Sequence, residues 1–129
     1  MSIFKKIISG ELPSYKIAED EDFLAFLDIN PNTKGHTLVI PKKVVNKLFD
    51  LDEDTYSGLM KFSYRVAKAL EKTVLCKRIG MSVIGIEVPH VHVHLIPLNM
   101  MEDMRFTRKE KLNKDEFLAL AKEISINFV

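Results

Sequence analysis

Apolar and polar positions follow two periods along this chain, and the change between them outlines the elements. Tyr15–Ala18 and Phe23–Ile29 read as strands, with the acidic run Glu19–Asp22 as the turn between them. Pro31, Asn32 and Gly35 mark a loop. His36–Ile40 (HTLVI) is rich in β-branched residues and stops at Pro41, which predicts a third strand. Ile79–Ile86 and Val91–Leu98 read as two more. The 3.6-residue period is clearest from about Asp54 to Leu75, where Tyr56, Leu59, Met60, Val66, Ala67, Leu70 and Val74 recur. This predicts a long helix capped by Asp52 or Asp54. Phe4–Ser9 predicts a short helical turn ended by Gly10 and Pro13, and Val44–Phe49 another short helix.

The segment Glu102–Glu116 carries ten charged residues of fifteen, with both signs mixed. It therefore reads as a solvated loop over about 102–114 rather than a binding patch. Asn113 with Glu116 resembles a capping box for a last helix, about 114–126, that buries Phe117, Leu120, Ala121 and Ile124. The order is strands, a long helix, strands, then a helix. It points to an α+β fold with a five-stranded, mainly antiparallel sheet and helices on one side.

Length and composition narrow the function classes. The 129 residues suit one domain, expected to span 1–129. Nineteen Lys+Arg against eighteen Asp+Glu leave a net charge of +1, so nothing draws the whole molecule to nucleic acid or an acidic membrane. Lys5 and Lys6 interrupt the apolar start, which removes a signal-peptide core, and no apolar window is long enough to span a bilayer. The single Cys76 permits no intrachain disulfide and favours a reducing, cytoplasmic setting.

Four histidines are present, and three fall within five residues: Pro89-His90-Val91-His92-Val93-His94-Leu95-Ile96-Pro97. Strict alternation with aliphatic residues predicts a strand with three imidazoles on one side. Three rings in register are costly as packing alone, since each needs partners and each disfavours charge on its neighbours. Two chemical uses remain. One is a transition-metal site built from His90, His92 and His94. The other is an anion site in which one imidazole is a nucleophile or base and the others hold a phosphate.

The run His90–Ile96 resembles the motif of the histidine triad (HIT) superfamily, His-x-His-x-His followed by apolar residues. The resemblance extends in order through Ile3-Phe4-Lys5-Lys6-Ile7-Ile8, Gly10-Glu11-Leu12-Pro13, the FLAFLDI segment Phe23–Ile29 and the GHTLVIPK segment Gly35–Lys42, about residues 3–98 in all. The branch most similar is the histidine triad nucleotide-binding proteins, homodimeric enzymes acting on nucleoside phosphoramidates and related purine nucleotides. The resemblance implies that His92 attacks the α-phosphorus and forms a covalent nucleotidyl-histidine. His94 then contacts the phosphate, while His90 and His36 orient neighbours and relay protons. It places Ile3, Phe4, Ile7, Phe26 and Ile29 around the base and Asp28 on the ribose hydroxyls. It implies no cofactor.

The chain departs from that pattern twice. Many relatives carry two cysteines near the start as part of a zinc site, and Ser2 and Lys5 stand there instead, poor replacements for thiolates. Relatives commonly have a Gly-Gln-Ser/Thr-Val stretch before the triad, whereas Met81–Pro89 reads MSVIGIEVP. Ile86 and Glu87 replace the polar residues, which makes Glu87 the candidate leaving-group contact and raises a second reading: a nucleotide-binding or scaffold protein without turnover.

Overall fold

The computed structural model describes residues 2–129. Five antiparallel strands form one sheet in the order β1-β2-β3-β5-β4: β1 Lys16–Glu19, β2 Phe23–Leu27, β3 Thr37–Pro41, β4 Arg78–Ser82 and β5 Val93–Leu98. Helices α1 Ile3–Ser9, α2 Glu53–Thr73 and α3 Lys114–Ile126 complete the α+β fold. Asp52 caps α2 by accepting from the Thr55 N–H and hydroxyl. The Asn113–Glu116 box caps α3 with reciprocal bonds of 3.0 and 2.8 Å.

The pleat gives the sheet two different faces. Phe23, Ala25, Leu27, Val39, Val93 and Leu95 pack against Leu59, Phe62, Val66 and Leu70 of α2 and Phe117, Leu120 and Ile124 of α3. The alternate residues Leu24, Phe26, Leu38 and Ile40 pack with Phe4 of α1. Helices therefore cover both faces rather than the one predicted, because Phe4 is buried and carries α1 to the opposite side from α2 and α3. Leu38 lies opposite His94 in the β3–β5 register, and directly opposed residues share a face. His94 is thus on the α1 face.

Several boundaries differ from the periodicity for local reasons. Strand β2 ends at Leu27, not Ile29, because Asp28 Oδ1 accepts from the Asn30 N–H and turns the chain. Strand β4 ends at Ser82, three residues before Gly85 at φ +72°. Strand β5 starts at Val93, because the Val91 N–H bonds to the Val45 carbonyl and the His90 N–H to that of Val88. The helix expected over Val44–Phe49 is a single 3-10 turn, Leu48–Asp50.

The charged segment differs most from expectation. Met101–Met104 form a 3-10 turn, and Asp103 is buried, accepting from the Asn99 and Met100 N–H groups at 2.8 and 3.1 Å. The backbone is fastened to the loop before β3, where the Glu110 N–H donates to the Pro31 carbonyl at 2.9 Å. It is a packed strap with exposed charged tips, not a solvated loop.

Gly35, just before His36, has φ +99°, and a Cβ there would lie 3.0 Å from Val74 Cγ2 and 3.1 Å from Pro97 Cγ. Gly10 has φ +86° with open space around it. Urea unfolding should show Gly10→Ala costing about 1–2 kcal/mol for the left-handed backbone alone. Gly35→Ala should cost about 2–4 kcal/mol, since overpacking adds to that strain. Equal losses would contradict the tight packing at Gly35.

Candidate active site

The four histidines converge on the α1 face, and their hydrogen bonds assign their protons. The Asn32 peptide N–H donates to His36 Nδ1 at 2.9 Å. A peptide N–H cannot accept, so Nδ1 holds the lone pair and a neutral His36 carries its proton on Nε2. That Nε2–H meets His94 Nδ1 at 3.0 Å, which leaves His94 protonated on Nε2. The His90 and His92 assignments come from carbonyls, which only accept. His92 Nδ1–H donates to the His90 carbonyl at 2.8 Å, and His90 Nε2–H to the Pro41 carbonyl at 2.8 Å. In its neutral form His92 therefore keeps a bare lone pair on Nε2. Ser2 Oγ, which also caps α1 through the Lys5 N–H, lies 3.5 Å from His90 Nδ1.

The rings form a continuous row. Phe4 meets His90 and His92 edge-on at 5.9 and 5.0 Å between centroids. His92 meets His94 at 4.9 Å, and His94 meets His36 at 5.2 Å. Exposure separates their roles: His36 and His90 are 0% exposed, while His92 and His94 retain 7% and 8%. Only the latter two can reach a ligand.

Burial favours the neutral rings. It pushes His36 down to about 3, with the charges of His94, Lys109 and His92 acting in the same direction. His94 falls to about 4, from burial and then the charges of His92 and Lys109. Burial also lowers His90, against the opposing effect of its bond to the Pro41 carbonyl. Asp28 is raised by burial, partly offset by the Asn30 N–H and the charges of Lys109 and His92. Its carboxylate lies 3.6 Å from His36 Nε2.

The apolar candidates divide. Phe4 and Phe26 are buried and meet edge-on at 5.8 Å, so both are core, although Phe4 also touches His92. Ile7 is half-buried, whereas Ile3 and Ile29 are exposed and free to meet a ligand. Glu87 is exposed and makes no hydrogen bond or ion pair among the described residues.

Three further residues complete the site. Asn32 sits in the predicted loop, and only the fold reveals what its peptide N–H faces. Phe106, the one aromatic in the charged run, lies 4.9 Å from His94 and 6.0 Å from His36 between centroids. It holds φ +60°, a strained conformation for an aromatic residue. Lys109 reaches Asn32 Oδ1 at 2.7 Å. Neither Phe106 nor Lys109 carried a signal above its charged surroundings.

Geometry argues against the metal reading. Ligand atoms of Asp28, His36 and His94 lie within 4.8 Å of one another. A metal on His36 Nε2 would force its proton onto Nδ1, where the Asn32 N–H already points. Among the described residues His90, His92 and His94 do not bring three ligand atoms within that distance of one another.

The lowered values carry a stability prediction. His36 and His94 stay neutral when folded but protonate near 6.5 when unfolded. Their contribution is complete above about pH 6.5 and is lost as the pH falls through about 4 and then about 3. The unfolding free energy of the wild type should therefore decrease on acidification through this window. In His36→Gln the slope should be shallower by about one proton, and an unchanged slope would contradict a neutral His36.

Comparison with known proteins agrees with this geometry. The HIT domain model matches residues 9–101. An uncharacterized HIT-like protein of Borreliella burgdorferi is 40% identical over 134 residues, 97% of this chain and 96% of that protein. Adenosine 5'-monophosphoramidase HNT1 of Saccharomyces cerevisiae is 42% identical over 96 residues, 74% of this chain and 61% of its own length. The crystal structure of a HIT-like protein from Bartonella henselae superposes with TM-score 0.85 at 35% identity, covering 98% of this chain and 95% of that one. Sequence, fold and the histidine site together show that this chain belongs to the HIT family.

Proposed function

We propose that this protein hydrolyses purine nucleoside phosphoramidates or related nucleotides at the α-phosphorus, through a covalent nucleotidyl-histidine on His92. The observation that carries the reading is the bond from His92 Nδ1–H to the His90 carbonyl, which leaves Nε2 of the neutral ring as the nitrogen with a lone pair. The same bond partly offsets the positive charge that grows on the ring as Nε2 attacks.

In the first step the Nε2 lone pair forms a bond to phosphorus, and the bond from phosphorus to the leaving nitrogen breaks with its electron pair. The nitrogen takes a proton from solvent and departs as an amine. In the second step water attacks phosphorus and gives a proton back to solvent, and the bond from phosphorus to Nε2 breaks with its electron pair returning to the ring, which balances the first step. His94 Nε2–H donates to a non-bridging oxygen of the phosphate, held in that form by His36. His90 positions His92. Asp28, only 19% exposed beside His36, accepts from the ribose hydroxyls, and Ile3, Ile7 and Ile29 flank the base.

The yeast relative's phosphoramidase activity supports the substrate class and its adenosine the purine preference. In this reading the protein is a cytoplasmic homodimer. The edge strand β4, with Met81 half-exposed, and the unpaired Cys76 support those points. Among the described residues no helix is long and apolar enough to cross a membrane. Ile86 and Glu87, standing where the family pattern has polar residues, support the second reading, a nucleotide binder without turnover.

One comparison separates the two readings. Wild type should hydrolyse adenosine 5'-phosphoramidate, and His92→Ala should lower kcat at least about a thousandfold. Calorimetry should still find adenosine monophosphate bound within about threefold of wild-type affinity, since the removed group acts mainly in the transition state. Wild type that binds but does not turn over would favour the non-enzymatic reading.

A further inference from the structure

The strap over 99–110 does more than cover the histidines. Asn32 is buried and held at both ends of its amide: Nδ2 donates to the Asp103 carbonyl at 3.0 Å, and Oδ1 accepts from Lys109 Nζ at 2.7 Å. Its own peptide N–H is the group that fixes His36. Lys109 is otherwise exposed, with its ammonium 5.1 Å from the Phe106 ring centroid, and that ring stands against His94. A long surface side chain is thus immobilised on a buried amide whose backbone sets an imidazole proton.

We propose that Lys109 is a positioning residue for the histidine chain: by anchoring the Asn32 amide it holds the Asn32 N–H on His36 Nδ1. The proton of His36 then stays on Nε2 and that of His94 faces the phosphate. Lys109 acts through Asn32 and need not touch substrate. The strap supplies this anchor from 77 residues away in sequence. For catalysis, the inference rests on the hydrolase reading above. For the proton positions, it stands on the geometry alone.

The test uses the full-length protein with Lys109→Met and Lys109→Arg, both at an exposed position that leaves the core intact. Nitrogen-15 imidazole spectra should show His36 as the Nε2–H form in wild type and as a mixture of forms in Lys109→Met. With adenosine 5'-phosphoramidate, Lys109→Met should lower kcat about tenfold with KM within about twofold, as a misplaced catalytic group does. Lys109→Arg, which keeps charge and reach, should recover kcat to within about threefold of wild type. Asn32→Ser should reproduce Lys109→Met, and the double variant should be no worse than either, because the two residues act as one unit. An unchanged His36 spectrum in Lys109→Met would overturn the proposal. So would a raised KM at constant kcat, which would make Lys109 a substrate contact. The spectra decide the matter even if the phosphoramidate is not a substrate.

Discussion

A buried imidazole has two nitrogens, and the group that faces one of them decides the state of the other. The Asn32 peptide N–H faces His36 Nδ1, and this one bond propagates through His36 and His94 to the surface of the site. A charged ring would be costly here, because burial removes the water that would stabilise it. Neutral rings with assigned protons are the stable solution. They are also the useful one, since one presents a lone pair and another presents a donor.

The fold supplies these partners by topology rather than by sequence proximity. Strand β5 inserts between β3 and β4, so the end of the His36 loop lies beside His94. The late start of β5 is equally important. His90 and His92 lie outside the ladder, so the His90 carbonyl is free to accept from His92. Had the ladder begun two residues earlier, strand pairing would have competed for that carbonyl. Helix α1 then closes the site with Phe4 against two of the rings.

The sequence was most legible where structure is local. The period of α2, the caps at Asp52 and Asn113 and the succession of strands along the chain follow from neighbours a few residues apart. Alternation in the triad predicted three rings on one side of a strand, but only His94 is in the ladder, because Val91 is drawn off to pair with Val45. The charged run misled for a related reason. Its composition describes its exposed tips, such as Arg105 and Lys111. It says nothing of Asp103, Phe106 and Lys109, whose partners lie across the fold. No spacing rule could have joined Lys109 to Asn32.

The proposed nucleophile is His92 Nε2, because the His90 carbonyl holds the proton on the opposite nitrogen. The most direct measurement is rapid acid quench during turnover of adenosine 5'-phosphoramidate, then peptide mapping by mass spectrometry at neutral-to-basic pH, where phosphoramidate bonds to histidine survive longer. One adenylyl group is expected on the triad peptide, attached to His92. An adduct on His94 or His90, or turnover without any adduct while the chemical step is shown to be faster than breakdown, would contradict it.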